Sequence, residues 1–259
     1  MLATTEARFT ALSLSPTLAH ARRESLLELA AQSTARTFEP RTLVIRAGLP
    51  VRHVLYVVDG LVALSTRDPS ASQLLLGLAE GPSFVGDDDL WGGGRWTVSG
   101  RALRASALLS IPRTTFEACV SNDHGFAAGL YREACRRHGR MRVALQSMAT
   151  EPTEAQLLRL LWDLAEPSTV PGEIAAAPLC QSSLARALGV DRKTIARNLK
   201  RLVARGVLAV RGREVGLTAD RRSHVGRDPS ARASCSWRFS AIERTRRSLL
   251  DTEPERAAG

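Results

Sequence analysis

The chain has 259 residues, 44% of them hydrophobic and 24% charged, with a net charge of +10; this composition is typical of a folded globular protein with one or two domains. It contains no run of about 18 apolar residues, which argues against a membrane-spanning helix. The four cysteines are widely spaced and follow no metal-ligand pattern, so neither a zinc site nor a disulfide framework is expected.

The first 35 residues lack the cationic and then apolar pattern of a signal peptide, so we expect a cytoplasmic protein. They predict a loose leader followed by one helix at about residues 18–31. From Phe38 onward the pattern changes to short β-branched runs such as TLVIRAG and HVLYVVDGLVALS. Asp59-Gly60 between two apolar runs is a hairpin signal. Gly and Pro recur every eight to twelve residues, which predicts an all-β sandwich or barrel over about residues 37–112.

A long helix is predicted at about residues 124–149, after a possible helix cap at 121–123. Apolar residues recur there in steps of three and four, which is typical of a coiled-coil contact. We expect this seam to mediate self-dimerisation, although the same residues could instead pack on the chain's own β-domain. Gly139 weakens the helix by about 1 kcal/mol. The seam consists of Leu130, Ala134, His138, Met141, Leu145 and Met148.

Residues 181–205 predict two helices joined by a tight turn. The segment QSSLARAL forms the first helix, Gly189 ends it, and Asp191 can cap the second helix, which runs from Arg192 to about residue 205. Gly206 stands where a left-handed C-terminal residue is expected. Two helices connected in this way form a helix-turn-helix.

The second helix has an apolar side and a cationic side. Arg192 lies at its start, and Lys193, Arg197, Lys200 and Arg201 share one face, while no acidic residue occurs between 192 and 210. A solvated helix would mix charges of both signs, so the uniform sign indicates an anionic partner, DNA. The following segment GVLAVRGREVGL predicts a β-hairpin wing, on which Arg211 and Arg213 either contact backbone phosphates or simply face solvent.

The positive charge is concentrated in the last third of the chain. Residues 1–179 contain 18 Lys/Arg and 18 Asp/Glu, whereas residues 180–220 contain nine against three, and residues 221–259 nine against five. A neutral body with a basic end is typical of a protein with an added polyanion-binding module. Residues 221–259 lack apolar periodicity, and we expect a basic, mostly disordered tail.

An enzyme is the competing class of function, and the sequence gives it little support. The five histidines lie in no recognisable catalytic motif, and neither a Ser nucleophile elbow nor a P-loop is present. We therefore predict no catalytic residue and no cofactor.

A β-roll, a long helix and a winged helix-turn-helix, in this order over about residues 20–218, resemble the Crp/Fnr family of bacterial transcription regulators. The segment LARALGVDRKTIARNLKRLVARGVLAVRG carries the resemblance most strongly, and FEPRTLVIRAG and LYVVDGLVAL are similar to the opening strands of the roll. The resemblance implies an α+β fold with an N-terminal antiparallel β-roll of the cyclic-nucleotide-binding type, a long dimerisation helix and a C-terminal winged helix-turn-helix. The implied domains are a roll with an N-terminal helix at 1–120, a dimerisation helix at 121–150, a DNA-binding domain at 151–220 and the tail at 221–259.

The family implies a homodimer that places one helix per subunit in successive major grooves of a pseudo-palindromic operator, with RNA polymerase as a further partner. By position, Arg192, Lys193 and Arg197 match the base-reading residues. Lys193 departs from the acidic residue common in the family, which changes the expected base from cytosine to guanine. Gln181 and Ser182 match phosphate contacts at a helix N-terminus.

The resemblance also implies an effector pocket, at Gly86, Asp87, Arg95, Trp96 and Thr97. Cyclic-nucleotide-binding members use a Gly-Glu pair for the ribose and Arg with Ser or Thr for the cyclic phosphate; here Asp is shorter and Trp replaces the hydroxyl residue. We therefore expect an effector other than cyclic AMP. A constitutive regulator without an effector and, less favoured, a cyclic-nucleotide-responsive activator remain alternatives. Three consecutive carboxylates at 87–89 in a Gly-rich loop do not indicate a metal, and the cysteines form no cluster for iron–sulfur.

Overall fold

The structure, a computed structural model, describes residues 2–66, 75–167, 173–176, 181–211 and 214–218. Its contacts divide the chain into two units. The first unit comprises Met1–Gln146 with Gln181–Thr194, and the second comprises Ser147–Cys180 with Ile195–Gly259. The expected tail at 221–259 lies outside the described residues.

The N-terminal segment contains more helix than the sequence predicts. Helix α1 spans Thr5–Ser13, a 3-10 turn spans Pro16–Leu18, and α2 spans Arg23–Gln32. The expectation of a loose leader is wrong, because the Thr4 side chain accepts a hydrogen bond from the Ala7 N–H at 3.2 Å and caps α1. Leu12 is fully buried in the core and anchors this helix.

Two antiparallel four-stranded sheets form the roll of the first unit, which confirms the expected fold class. Their strand orders are β1-β8-β3-β6 and β2-β7-β4-β5. The strands are β1 Thr34–Phe38, β2 Leu43–Ile45, β3 His53–Asp59, β4 Leu61–Ser65, β5 Leu75–Glu80, β6 Ser83–Val85, β7 Ser99–Ala102 and β8 Ser106–Pro112. Helix α3 (Asp87–Gly92) connects β6 to β7, and α4 (Arg113–Asn122) and α5 (His124–Thr150) follow β8.

The turn at Asp59-Gly60 does not make a hairpin, so that prediction is wrong. Strands β3 and β4 flank the turn but belong to different sheets. Gly60 has φ +108°, and a Cβ there would lie 2.2 Å from the Ser106 Oγ. The glycine is therefore needed for a close backbone approach at the point where the chain passes from one sheet to the other.

Aromatic rings fill the centre of the roll. The Phe84 ring centroid lies 4.9 Å from that of Tyr56 and 5.5 Å from that of Phe116, and Phe116 meets Phe126 of α5 edge-to-face at 5.4 Å. The Tyr56 hydroxyl donates to the Ala11 carbonyl at 3.1 Å, and burial raises its pKa well above the ordinary value. Helices α1, α4 and α5 are thus tied to the sheets by one core.

The first turns of α5 pack closely against the N-terminal segment. A Cβ on Gly125 would lie 1.8 Å from the His20 carbonyl oxygen, and one on Gly129 would lie 1.9 Å from that of Thr17. Asp123, 1% exposed, accepts hydrogen bonds from the Phe126 N–H at 3.1 Å and the Arg22 N–H at 2.7 Å. The beginning of α5 therefore belongs to the core of the roll.

The second unit contains a four-stranded sheet of order β11-β12-β10-β9. Its elements are α6 Thr153–Asp163, β9 Ala165–Pro167, β10 Glu173–Ala176, most of α8 (Arg192–Ala204), β11 Leu208–Arg211 and β12 Glu214–Thr218. Strands β9 and β10 are not among the elements that the sequence analysis predicts. These strands are short, and β10 is held by pairing with β12, for example Ile174 opposite Leu217, a partner more than 40 residues away that local pattern does not reveal.

Candidate nucleic-acid interface and effector pocket

The turn before α8 has the conformation that its residues predict. Helix α7 spans Gln181–Leu188 and is followed by Gly189 with φ +65°. The Val190 N–H donates to the Ala185 carbonyl at 3.0 Å and closes the end of α7. Gln181 at the start of α7 is half-buried and Ser182 is exposed.

Asp191 caps α8. Its Oδ1 accepts from the Thr194 N–H at 2.9 Å, and its Oδ2 accepts from the Thr194 hydroxyl at 2.6 Å. These hydrogen bonds, the hydroxyl first, lower the pKa of the Asp191 carboxyl below its usual range. An ionised carboxylate at this position favours the helix because it faces the positive end of the dipole.

Helix α8 separates apolar from cationic side chains. Ile195 and Leu202 are fully buried and Leu199 is 7% exposed, whereas Val203, one turn after Leu199, is 40% exposed. The cationic side chains are exposed, and none forms an ion pair with any residue that the structure describes: Arg192, Lys193, Arg197, Lys200 and Arg201. The surface of α8 thus carries exposed cations that no acidic side chain of the described residues neutralises.

The C-terminal end of α8 contrasts with this surface. Arg205 donates to the Glu154 carboxylate of α6 at 2.5 Å. Gly206 adopts φ +68°, as expected, and the Val207 N–H donates to the Leu202 carbonyl at 2.9 Å. This left-handed cap ends the helix and leads the chain into β11.

The predicted wing is a β-hairpin of β11 and β12, with Leu208 opposite Leu217 and Arg211 opposite Glu214. Leu208 and Val215 are buried and hold the hairpin to its unit. The side chain of Arg211, and Arg213 as a whole, lie outside the described part of the chain.

Trp96, one of the residues predicted to form the effector pocket, is buried in the roll. Its side chain is 9% exposed and belongs to the hydrophobic core of the roll. Gly86 has φ +91°, and a Cβ there would lie 2.3 Å from Cη2 of the indole. The glycine therefore makes room for the ring, and the ring lies against the backbone that leads into α3.

Asp87, the predicted ribose-binding carboxylate, pairs with Arg137 of α5. Nη1 and Nη2 of Arg137 donate to Oδ1 and Oδ2 of Asp87 at 2.9 and 2.5 Å. The Asp87 side chain is 6% exposed and that of Arg137 is 27% exposed. This bidentate pair raises the pKa of Arg137 above its ordinary value although burial opposes that change. Sequence reasoning missed Arg137, because the two residues lie 50 positions apart and no local pattern links them.

The structure brings Gly86, Asp87 and Trp96 together but directs the other two predicted pocket residues elsewhere. Thr97 donates to the Asp89 carboxylate through its hydroxyl at 2.6 Å and its N–H at 3.1 Å. Arg95 is exposed and donates to the Gly48 carbonyl at 2.9 Å. Burial and the neighbouring charge of Asp87 raise the pKa of Asp88.

Among the described residues, no group of three or more His, Cys, Asp or Glu side chains has an arrangement that could hold a metal ion. In the same residues, no helix combines the length and apolar character that membrane crossing requires.

The seam of α5 divides into a buried and an exposed part. Leu130 is 8% exposed and packs in the chain's own core. Ala134 and His138 are exposed, and Met141, Leu145 and Met148 are 57%, 56% and 49% exposed. The exposed apolar part therefore begins after the point where α5 leaves the roll.

Comparison with known proteins identifies two domains in the chain. The family model of the cyclic nucleotide-binding domain matches residues 35–123, and that of the Crp-like helix-turn-helix domain matches residues 155–221. A curated relative from Rhizobium leguminosarum bv. viciae, described as a probable transcriptional activator, is 26% identical over 188 residues, or 71% of this chain and 77% of that protein.

Solved structures share the fold. The c-di-GMP responsive global regulator CLP of Xanthomonas campestris matches with a TM-score of 0.64 and 24% identity over 76% of this chain and 99% of that one. FixK2 from Bradyrhizobium japonicum matches with a TM-score of 0.61 and 17% identity, covering 71% and 92%. The two family models together cover more than half of the chain, and the order of its domains is the one predicted from the sequence. The chain is therefore a Crp/Fnr-type transcription regulator, with a cyclic nucleotide-binding domain followed by a Crp-like helix-turn-helix domain.

Proposed function

We propose that this transcription regulator works as a homodimer that reads a pseudo-palindromic operator through α8. The observation that carries the proposal is the set of five exposed cations on α8, which have no ion-pair partner among the described residues, together with the Asp191 cap that fixes the start of the helix. Uncompensated like charges on one face repel each other, and a phosphate backbone relieves that repulsion.

Three residues at the start of α8 read bases in this proposal. By the family resemblance, Arg192, Lys193 and Arg197 match the positions that face the major groove, and Arg or Lys side chains donate to guanine O6 and N7. The remaining predicted DNA-binding residues hold the phosphates and set the orientation of the protein on the duplex: Gln181, Ser182, Lys200, Arg201, Arg211 and Arg213.

The second copy docks on the exposed part of the α5 seam. Met141, Leu145 and Met148 are about half exposed in the single chain, and large apolar side chains at this spacing are typical of a coiled-coil interface. A two-fold dimer then presents two α8 helices to two half-sites about one helical turn apart.

The roll works without cyclic AMP in this proposal. The indole of Trp96 lies against Gly86, and the carboxylate of Asp87 is engaged by Arg137. A cyclic nucleotide would have to displace the ring and break the ion pair, and would still lack the hydroxyl contact. The loss of two contacts in a buried pocket corresponds to about 2–6 kcal/mol. Both observations favour the effector-independent alternative over a small-molecule switch.

The proposed division of labour follows the expected domains. Residues 1–120 serve as the roll, 121–150 as the dimerisation helix and 151–220 as the DNA-binding domain, while the basic tail at 221–259 adds non-specific affinity. The protein acts in the cytoplasm, meets RNA polymerase at its operators and has no catalytic activity of its own.

A selection experiment tests this proposal. The purified full chain is incubated with a random double-stranded DNA library, bound sequences are recovered, and affinity for the enriched site is measured at several salt concentrations. We expect an inverted repeat and a steep fall of affinity with salt. Calorimetric titration with cyclic AMP and cyclic GMP should give no binding in the micromolar range. Recovery of sequences without symmetry, or a cyclic nucleotide that increases operator affinity, would contradict the proposal.

A further inference from the structure

The ion pair between Arg137 and Asp87 joins the effector-pocket region to the long helix. Asp87 is the first residue of α3 and is almost fully buried, with its two carboxylate oxygens accepting from the two terminal nitrogens of one guanidinium. A buried carboxylate is stable only with a partner. Arg137 supplies that partner from within the same chain.

The pair is specific to Arg137 among the arginines that surround it on α5. Arg136 and Arg140 donate to Glu133 on the same helix, at 2.6 and 2.9 Å. The Arg136 side chain is 52% exposed, against 27% for Arg137. Arg136 and Arg140 thus both pair with Glu133 of α5, while Arg137 pairs with Asp87 of the roll.

The Arg137–Asp87 pair lies on α5 just before the exposed part of the seam. Gly139 follows two residues later, a Cβ placed on it would meet no neighbouring atom of the described residues within 4 Å, and glycine is a poor helix former. Met141, Leu145 and Met148 lie beyond this glycine and are exposed. Core contacts hold the helix up to Leu130, so the Arg137 pair is the last buried ionic anchor that the described residues provide before Gly139.

We infer that Arg137 is a positioning residue that takes the place of an effector. Its guanidinium binds the Asp87 carboxylate of the predicted effector pocket and keeps α5 helical and correctly oriented through Gly139. The seam is then ready to dimerise without a small molecule. This inference rests on the proposed DNA-binding dimer and deepens it.

Substitution combined with chemical rescue tests this role. Arg137→Ala removes the guanidinium and leaves Asp87 unpaired, so we expect the dimer dissociation constant and the operator dissociation constant each to rise about tenfold or more. Millimolar methylguanidinium should restore both constants toward wild-type values, measured against NaCl at equal ionic strength. Arg136→Ala is the matched control and should change neither constant by more than about twofold.

Asp87→Asn with Arg137→Ala completes the test, because this double variant lacks the Asp87 carboxylate that pairs with the guanidinium, and methylguanidinium should not rescue it. Arg137→Lys keeps the charge but loses the bidentate geometry, and it should lie between wild type and alanine; it also serves if the alanine variant fails to fold. An Arg137→Ala protein that dimerises and binds its operator as wild type does would overturn the inference, as would equal rescue with and without Asp87. A wild-type protein that dimerises but binds no DNA would instead contradict the proposed function and leave the dimerisation measurement to decide the role of Arg137.

Discussion

Charged side chains have opposite surroundings in the roll and on α8. In the roll, Asp87 is paired with Arg137, and Asp89 accepts two hydrogen bonds from Thr97. On α8, five cations are exposed and have no ion-pair partner among the described residues. A charge that leaves water needs a partner within the fold, whereas an exposed charge keeps its hydration and is free to meet an external anion. The difference suggests that the fold uses the charges of the pocket internally and reserves those of α8 for DNA.

The largest expected effect concerns the exposed part of the α5 seam, the proposed dimer interface. Replacing Met141 and Leu145 by Glu places four carboxylates in the proposed dimer seam and should weaken the dimer by several kcal/mol, about 4 or more. Sedimentation velocity measures the result. Val143→Glu, on the opposite side of the same helical turns, is the control and should leave the dimer intact. An unchanged dimer in the double variant would remove α5 from the interface.

The roll should lose stability when the buried indole of Trp96 is removed. Trp96→Ala deletes a ring that is 9% exposed and should lower the free energy of unfolding by about 3–5 kcal/mol, because a cavity remains. Denaturant unfolding followed by tryptophan fluorescence measures this loss. Trp91→Ala, at a side chain that is 57% exposed, should change stability by no more than about 0.5 kcal/mol. Equal effects at both positions would mean that Trp96 is not a core residue.

Substitutions on the cationic face of α8 should change the affinity for the operator and not the stability of the fold. Arg197→Ala should weaken operator binding by about 1–3 kcal/mol and relax base preference at one position of each half-site. Binding to a library of single-base operator variants measures both effects. Arg205→Ala breaks the pair with Glu154 and should leave the base preference unchanged. If Arg197→Ala weakens all sites uniformly, Arg197 contacts phosphate and not a base.

The smallest expected effects concern two aspartates that cap helices, Asp123 at the start of α5 and Asp191 at the start of α8. Burial favours the neutral form of Asp123, but hydrogen bonds from the Arg22 N–H, the Ser25 hydroxyl and the Phe126 N–H lower its pKa overall. Its stabilisation is therefore complete above the unfolded value of about 3.9 and is lost as the pH falls through the lower folded value. Asp123→Ala should lower the free energy of unfolding by about 1–2 kcal/mol at neutral pH.

At pH values below the folded pKa of Asp123, the difference between this variant and wild type should shrink; unfolding curves over an acid pH series measure it. Asp191, whose pKa is also lowered but which is exposed, should affect stability less and operator affinity more when replaced by Ala. A constant difference for Asp123→Ala across the acid range would show that its charge does not stabilise the fold.

The sequence determines the α8 region almost completely. Asp191 as the cap, Gly206 as the left-handed end and the cationic face of α8 all depend on residues within one or two helical turns. Local chemistry of this kind is visible in the sequence because the interacting groups are neighbours along the chain. The roll strands and the family resemblance follow from similar short-range patterns.

Only the tertiary structure decided the rest. The turn at Asp59-Gly60 has the residues of a hairpin, yet it joins two different sheets because the close approach of Ser106 fixes the path of the chain. Strand β10 forms because β12 pairs with it. Asp87 matches the position of a ligand-binding carboxylate, but in the fold it pairs with Arg137, which lies 50 residues later in the chain. Each of these outcomes depends on groups distant in sequence that the packed core brings together, and no pattern along the chain encodes which distant group will be adjacent.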